Sequence, residues 1–155
     1  MRSMSVLVSA LLAVSSVAIA KDKDLSAAIA GSHRTPDLVS RDSARHPQEE
    51  LEFFGIKPTM TVVEISPGGG YWTEILAPYL KDKGTFYTTV SPRSLGERAV
   101  KAADAWQAKL DANKAVYGKV KVAEFGTFCG VARNVKATGT PRTAVVGPLM
   151  LAWRL

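Results

Sequence analysis

The stretch Val62-Val63-Glu64-Ile65-Ser66-Pro67-Gly68-Gly69-Gly70-Tyr71-Trp72-Thr73 ends an apolar run in a carboxylate, passes three glycines and opens an amphipathic segment. This order lets a strand deliver an acid, lets the backbone approach a ligand closely and lets the next helix offer its unpaired N–H groups. Glu64 can accept a hydrogen bond from an ammonium or hydroxyl group. The amides of Gly68, Gly69 and Gly70, with the positive end of a helix starting near Tyr71, suit a carboxylate. A molecule with an amino-acid end and a nucleoside end would use all of these groups. Other readings of the glycines fare unequally. A phosphate-cradling loop needs Gly-Lys-Ser/Thr, whereas Tyr71 and Trp72 follow Gly70, so it is excluded. A dinucleotide fingerprint fits Gly68 and Gly70 but meets Thr73 in place of its third glycine. A plain tight turn, with glycine needed only for backbone conformation, stays open beside the ligand reading.

Other reactive residues form weaker patterns. His33 and His46, with Asp37 and Asp42, match no usual metal-ligand spacing, and surface or capping roles are expected of them. Cys129 is the single cysteine, which excludes an intramolecular disulfide, and no nucleophile motif surrounds it. No catalytic triad is recognisable by spacing, since triads are defined by geometry, and no general base can be named.

Strands and helices must hold the glycine turn in place. Pro47 to Phe54 reads as a helix, with proline at its first position, glutamates at its positive end and Gly55 to stop it. Thr61 to Ile65 is an apolar strand and Tyr71 to Leu80 a helix, which Pro78 kinks or shortens. Thr85 to Val90 is a second strand, rich in β-branched and aromatic residues. Ser94 and Glu97 have capping-box spacing, for a helix reaching about Asn113 with Val100, Ala103, Trp106 and Leu110 along one stripe. Lys119 to Phe125 alternates as a third strand. Strands alternating with helices imply a parallel sheet with right-handed crossovers.

The 155 residues suffice for one domain, and 46% hydrophobic with 22% charged residues marks a globular chain. The net charge of +6 is scattered, without the aromatic and basic stripe that single-stranded nucleic acid needs, so no nucleic-acid partner is expected. Residues 1–20 read as a signal peptide for export to the periplasm or beyond: Arg2, an apolar run from Val6 to Val17, then Ala18-Ile19-Ala20. The run is too short for a permanent membrane span. Residues 21–46 form a polar arm and 47–125 the core. The tail, 126–155, contains no Asp or Glu, lacks clear periodicity and offers at most one further short strand, with apolar clusters at Ala144-Val145-Val146 and Leu149-Met150-Leu151.

The segment from about Ala27 to Phe125 resembles the class I S-adenosylmethionine-dependent methyltransferases, and is most similar to a group of exported bacterial members. The resemblance rests on Ser43-Ala44-Arg45-His46-Pro47, Phe53-Phe54-Gly55-Ile56-Lys57-Pro58 and Val63 through Leu76. It implies a Rossmann-like, three-layer α/β fold with a seven-stranded sheet, and S-adenosylmethionine as cofactor over the first two strands. Glu64, Ser66, Gly68, Gly69 and Gly70 would contact that cofactor, Tyr71 and Trp72 would border the cleft, and Asp42 to His46 would lie over it as a lid. Ser91 stands where the resemblance leads one to look for an acid that grips both ribose hydroxyls; a serine makes one such bond. The tail departs from the family's later strands and has the composition of a frame change or a truncated product, so a domain incomplete at its C-terminus is expected. The methyl acceptor does not follow. A non-catalytic remnant or small binding protein that keeps the glycine turn is the alternative.

Overall fold

The computed structural model describes residues 22–125 and the backbone of 143–146. The expected signal peptide, Cys129 and most of the tail lie outside the described residues.

A polar arm leads into the sheet. It holds α1 (Lys23–Ile29), α2 (Pro36–Val39) and α3 (Asp42–Arg45), and α4 (Pro47–Phe53) follows. Asp22 caps α1 by accepting from the amides of Asp24 and Leu25, which leaves Leu25 and Ala28 facing inward. Pro47 starts α4 as expected, and the chain reverses at Gly55 so that the Ile56 amide donates to the Leu51 carbonyl. Leu51 and Ile56 are buried, with Phe54 half-buried beside them.

The core alternates β1 (Thr61–Glu64), α5 (Tyr71–Leu80), β2 (Thr85–Val90), α6 (Glu97–Asp111), α7 (Lys114–Tyr117) and β3 (Lys121–Glu124). Pro78 sits within α5 without ending it. In the tail, β4 (Thr143–Val146) is the short strand that the Ala144-Val145-Val146 cluster allowed. All strand pairs are parallel, and the order is β3-β2-β1-β4. Glu64 lies opposite Thr88 of β2 on one side and Val146 of β4 on the other. The fold is therefore α/β with a parallel sheet, of four strands among the described residues.

Alternation along the strands puts Val62 and Glu64 of β1 on the same face as Phe86 and Thr88 of β2. That face meets α5 and α6: Thr73 of α5 bonds Glu64, and Trp106 of α6 donates its indole N–H to Thr88 Oγ1 at 3.0 Å. Ile75, Leu76 and Leu80 of α5, with Trp106 and Leu110 of α6, complete the apolar layer between helices and sheet. One local expectation fails. Ser94 does not cap α6, because residues Arg93–Leu95 close into a single 3₁₀ turn and Gly96, extended with φ 106°, takes the capping position without a side chain. The Arg93 amide donates instead to Glu124, which draws that turn to the end of β3.

Candidate functional site

The glycine turn leaves β1 where the strand order reverses, with β2 on one side of β1 and β4 on the other. Its backbone is built from left-handed residues: Ser66 (φ 54°), Gly68 (φ 57°) and Gly70 (φ 87°). Ser66 adopts a conformation that costs a side-chain-bearing residue roughly 1 kcal/mol or more. Its amide is held by Thr89 Oγ1 at 3.1 Å. The Gly70 amide closes the turn on the Pro67 carbonyl at 2.8 Å. Gly70 then caps α5 with no side chain to bond the first-turn amides, so this end of a ten-residue helix keeps its positive character.

Space differs sharply among the three glycines. Nothing lies within 4 Å of a Cβ built on Gly68, and one on Gly69 would meet only Leu38 at 3.8 Å. A Cβ on Gly70 would sit 3.1 Å from both the Lys109 ammonium and the Trp106 ring. Gly70→Ala is therefore expected to destabilise the chain by about 2 kcal/mol, combining left-handed strain with crowding of α6. Gly68→Ala carries the strain alone, about 1 kcal/mol. Urea unfolding of both variants checks the order; equal losses would mean that α6 does not press on the turn.

Glu64 departs from the sequence expectation. Its carboxylate does not stand open at the strand end; the residue is 2% exposed and accepts a hydrogen bond from the Thr73 hydroxyl. Burial pushes its pKa up to about 8, against the opposing pull of the Thr73 donor and the Lys109 charge. The position where a third glycine was sought thus holds the residue that bonds the acid. Thr73 is itself 1% exposed, so the acid and the hydroxyl are enclosed together between α5 and the sheet.

Lys109 and Glu74 join α5, α6 and the arm at this turn. Lys109 Nζ donates to the Gly69 carbonyl at 2.5 Å and to Glu74 Oε1 at 3.2 Å. Glu74 also accepts from the Thr35 amide at 2.8 Å and the Thr35 hydroxyl at 2.7 Å. Burial alone would raise the Glu74 pKa, but the two Thr35 donors and Lys109 outweigh it and hold the acid below its usual range. Lys109 had one local signal, its place one helical turn after Trp106, beside the apolar stripe of α6. Nothing local marked Glu74 or Thr35, whose partners are almost 40 residues apart in the chain.

The remaining predicted residues fall at varied distances from this cluster. Ser66, Gly68 and Gly69 are exposed on the turn, and Gly70, Tyr71 and Trp72 are buried. Ser91 is exposed just past the carboxyl end of β2, the end of the sheet that Glu64 also occupies. His33 bonds the Glu74 carbonyl through Nε2 at 2.7 Å, and His46 takes a left-handed conformation between α3 and α4. Among the described residues no group of three or more His, Cys, Asp or Glu could hold a metal ion, and no helix is long and apolar enough to cross a membrane.

The arm lies against the start of α5 instead of standing apart from it. Asp42 receives both terminal nitrogens of Arg34, at 2.6 and 2.9 Å, and the Tyr71 hydroxyl at 2.7 Å. Arg34 pulls the Asp42 pKa below its ordinary value, and burial only partly offsets this. Compared with known proteins, the chain matches no family model, no curated sequence and no solved structure.

Proposed function

We propose that the chain binds S-adenosylmethionine at the glycine turn and transfers its methyl group to an acceptor, as a Rossmann-like methyltransferase domain. The observation that carries this reading is the place of the turn. In open parallel sheets, ligands bind beyond the carboxyl ends of the strands where the strand order reverses, and the order β3-β2-β1-β4 reverses at β1, from which the turn issues.

The turn suits the carboxylate of such a ligand. Gly68 and Gly69 are exposed, the first-turn amides of α5 are uncapped, and the Lys109 ammonium lies on the Gly69 carbonyl. Glu64 and Thr73 lie buried together just behind the turn, and Glu64 is the acid toward which the ligand's ammonium would be drawn. Ser91, past β2, is the hydroxyl available to the ribose. S-adenosylmethionine, when bound, supplies an electrophilic methyl group on a sulfonium. The residues position it and exclude water, the main contribution a protein makes to such a transfer.

Two observations favour the other reading, in which the turn is structural and the protein a non-catalytic remnant or small binding protein. Glu64 already has a partner in Thr73, and Trp106 and Lys109 pack close over Gly70. Calorimetric titration of the full chain separates the two. Micromolar affinity for S-adenosylmethionine and S-adenosylhomocysteine is expected, and absence of heat with either, at several temperatures, would leave the structural turn as the better account.

A further inference from the structure

Three arginines of the arm converge on one tyrosine at the edge of the glycine turn. The guanidinium carbons of Arg34, Arg41 and Arg45 lie 5.4, 5.7 and 4.7 Å from the centroid of the Tyr71 ring. Tyr71 is the first residue of α5, immediately after Gly70, and Leu38 of the same arm is the side chain that a Cβ on Gly69 would meet. These charges belong to the same mouth as the uncapped helix end.

Their counter-charges do not suffice. Arg34 is fully buried and consumes Asp42, which also accepts from Tyr71. Even so, Arg34 Nε is buried with no hydrogen-bond partner among the described residues. Neither Arg41 nor Arg45 forms an ion pair there; Glu50 feels the charge of Arg45 without reaching ion-pair distance. Every Asp and Glu of the sequence lies between Asp22 and Glu124, within the described residues, and none of them pairs with Arg41 or Arg45 there. Two guanidinium groups thus lie by the Tyr71 ring with no ion pair or hydrogen bond among the described residues. The Tyr71 face attracts these cations, but Asp42 is the one carboxylate bonded among them, so an incoming anion would find a surplus of positive charge.

We infer that Arg41 and Arg45 form a binding site for the oxyanion of a small molecule, a phosphate monoester or a carboxylate, at the mouth beside Tyr71. Guanidinium forks match the paired oxygens of both groups, and the α5 dipole adds to the attraction. If the methyl-transfer reading holds, this site is the acceptor's anionic handle, and that role alone rests on the reading. The anion site itself does not.

The test therefore uses no cofactor. The full chain is titrated with phenyl phosphate and with benzoate, at low and moderate salt, beside an Arg41→Gln/Arg45→Gln variant whose folding is checked by circular dichroism and its unfolding midpoint. Saturable binding by the wild type is expected, weakening as salt rises, with at least about a tenfold loss in the double variant. The tighter of the two probes identifies the oxyanion. No saturable binding of either probe, or binding undiminished in a folded double variant, would overturn the proposal. Failure of S-adenosylmethionine to bind would leave it standing.

Discussion

Replacing Glu64 by Gln is expected to stabilise the chain, and to do so increasingly as the pH rises. Glu64 is 2% exposed, and its pKa is raised from 4.5 to about 8, first by burial. A folded-state pKa above the unfolded one means that the protonated acid favours the fold. That contribution is complete below pH 4.5, shrinks as pH rises through the interval and is gone above about pH 8. The shift corresponds to about 5 kcal/mol. Glutamine is uncharged at every pH, and its carboxamide oxygen accepts from Thr73 as the carboxyl does. Wild type and Glu64→Gln should thus unfold at similar urea concentrations near pH 4.5 and diverge toward pH 9, with the variant the more stable. A gap independent of pH would show that Glu64 is not a buried titrating acid.

The same substitution bears on the proposed function with the opposite sign. A buried acid that is largely neutral at pH 7 must lose its proton to meet a cationic ligand. Binding of S-adenosylmethionine should then release a proton, and the apparent heat should change with the ionisation enthalpy of the buffer. In Glu64→Gln that dependence should vanish and affinity should fall, while the fold is stronger. A residue whose removal helps stability and harms binding is the mark of a site that keeps an unfavourable group for use.

The elements around this acid were readable in the sequence because each is encoded locally. Thr85 to Val90 declared itself through β-branched and aromatic residues, and Pro47 with Gly55 bracketed a helix by backbone chemistry. The direction of Glu64 was not readable. A strand residue at that register can face a ligand or a helix, and the choice fell to Thr73, nine residues away across the turn. The capping of α6 misled for a related reason: Ser94 has the right spacing, but the tertiary bond from the Arg93 amide to Glu124 captures the chain before Ser94 can cap. The arm was underrated as well. Its polar composition suggests a short helix and a semi-ordered arm, yet Thr35 and Asp42 bond α5 at Glu74 and Tyr71, through pairings invisible to any local window, while Arg34 braces Asp42 from within the arm.

Arg34→Met should expose how much that arm depends on one buried charge. The Arg34 side chain is fully buried and donates to both Asp42 oxygens and, at 2.9 Å, to the Ile29 carbonyl. Methionine keeps the apolar stem but leaves Asp42 with Tyr71 alone and the carbonyl without this donor. Removing one partner of a buried pair costs about 3 kcal/mol, and a loss of that size is expected at pH 7. The pH dependence runs opposite to that of Glu64. Because Arg34 holds the Asp42 pKa below 3.8, the pair's contribution is present above that pH and is lost as pH falls through the folded-state value. The gap between wild type and Arg34→Met should accordingly narrow in acid. Trypsin should cut at Arg41 and Arg45 faster in the variant, since Asp42, which ties the arm to Tyr71, loses its brace. Adding Asp42→Asn removes the stranded charge, so the double variant should be more stable than the sum of the single losses allows. Strict additivity would mean that the two side chains act independently, and Arg34 would then not be what holds Asp42 against Tyr71 at the start of α5.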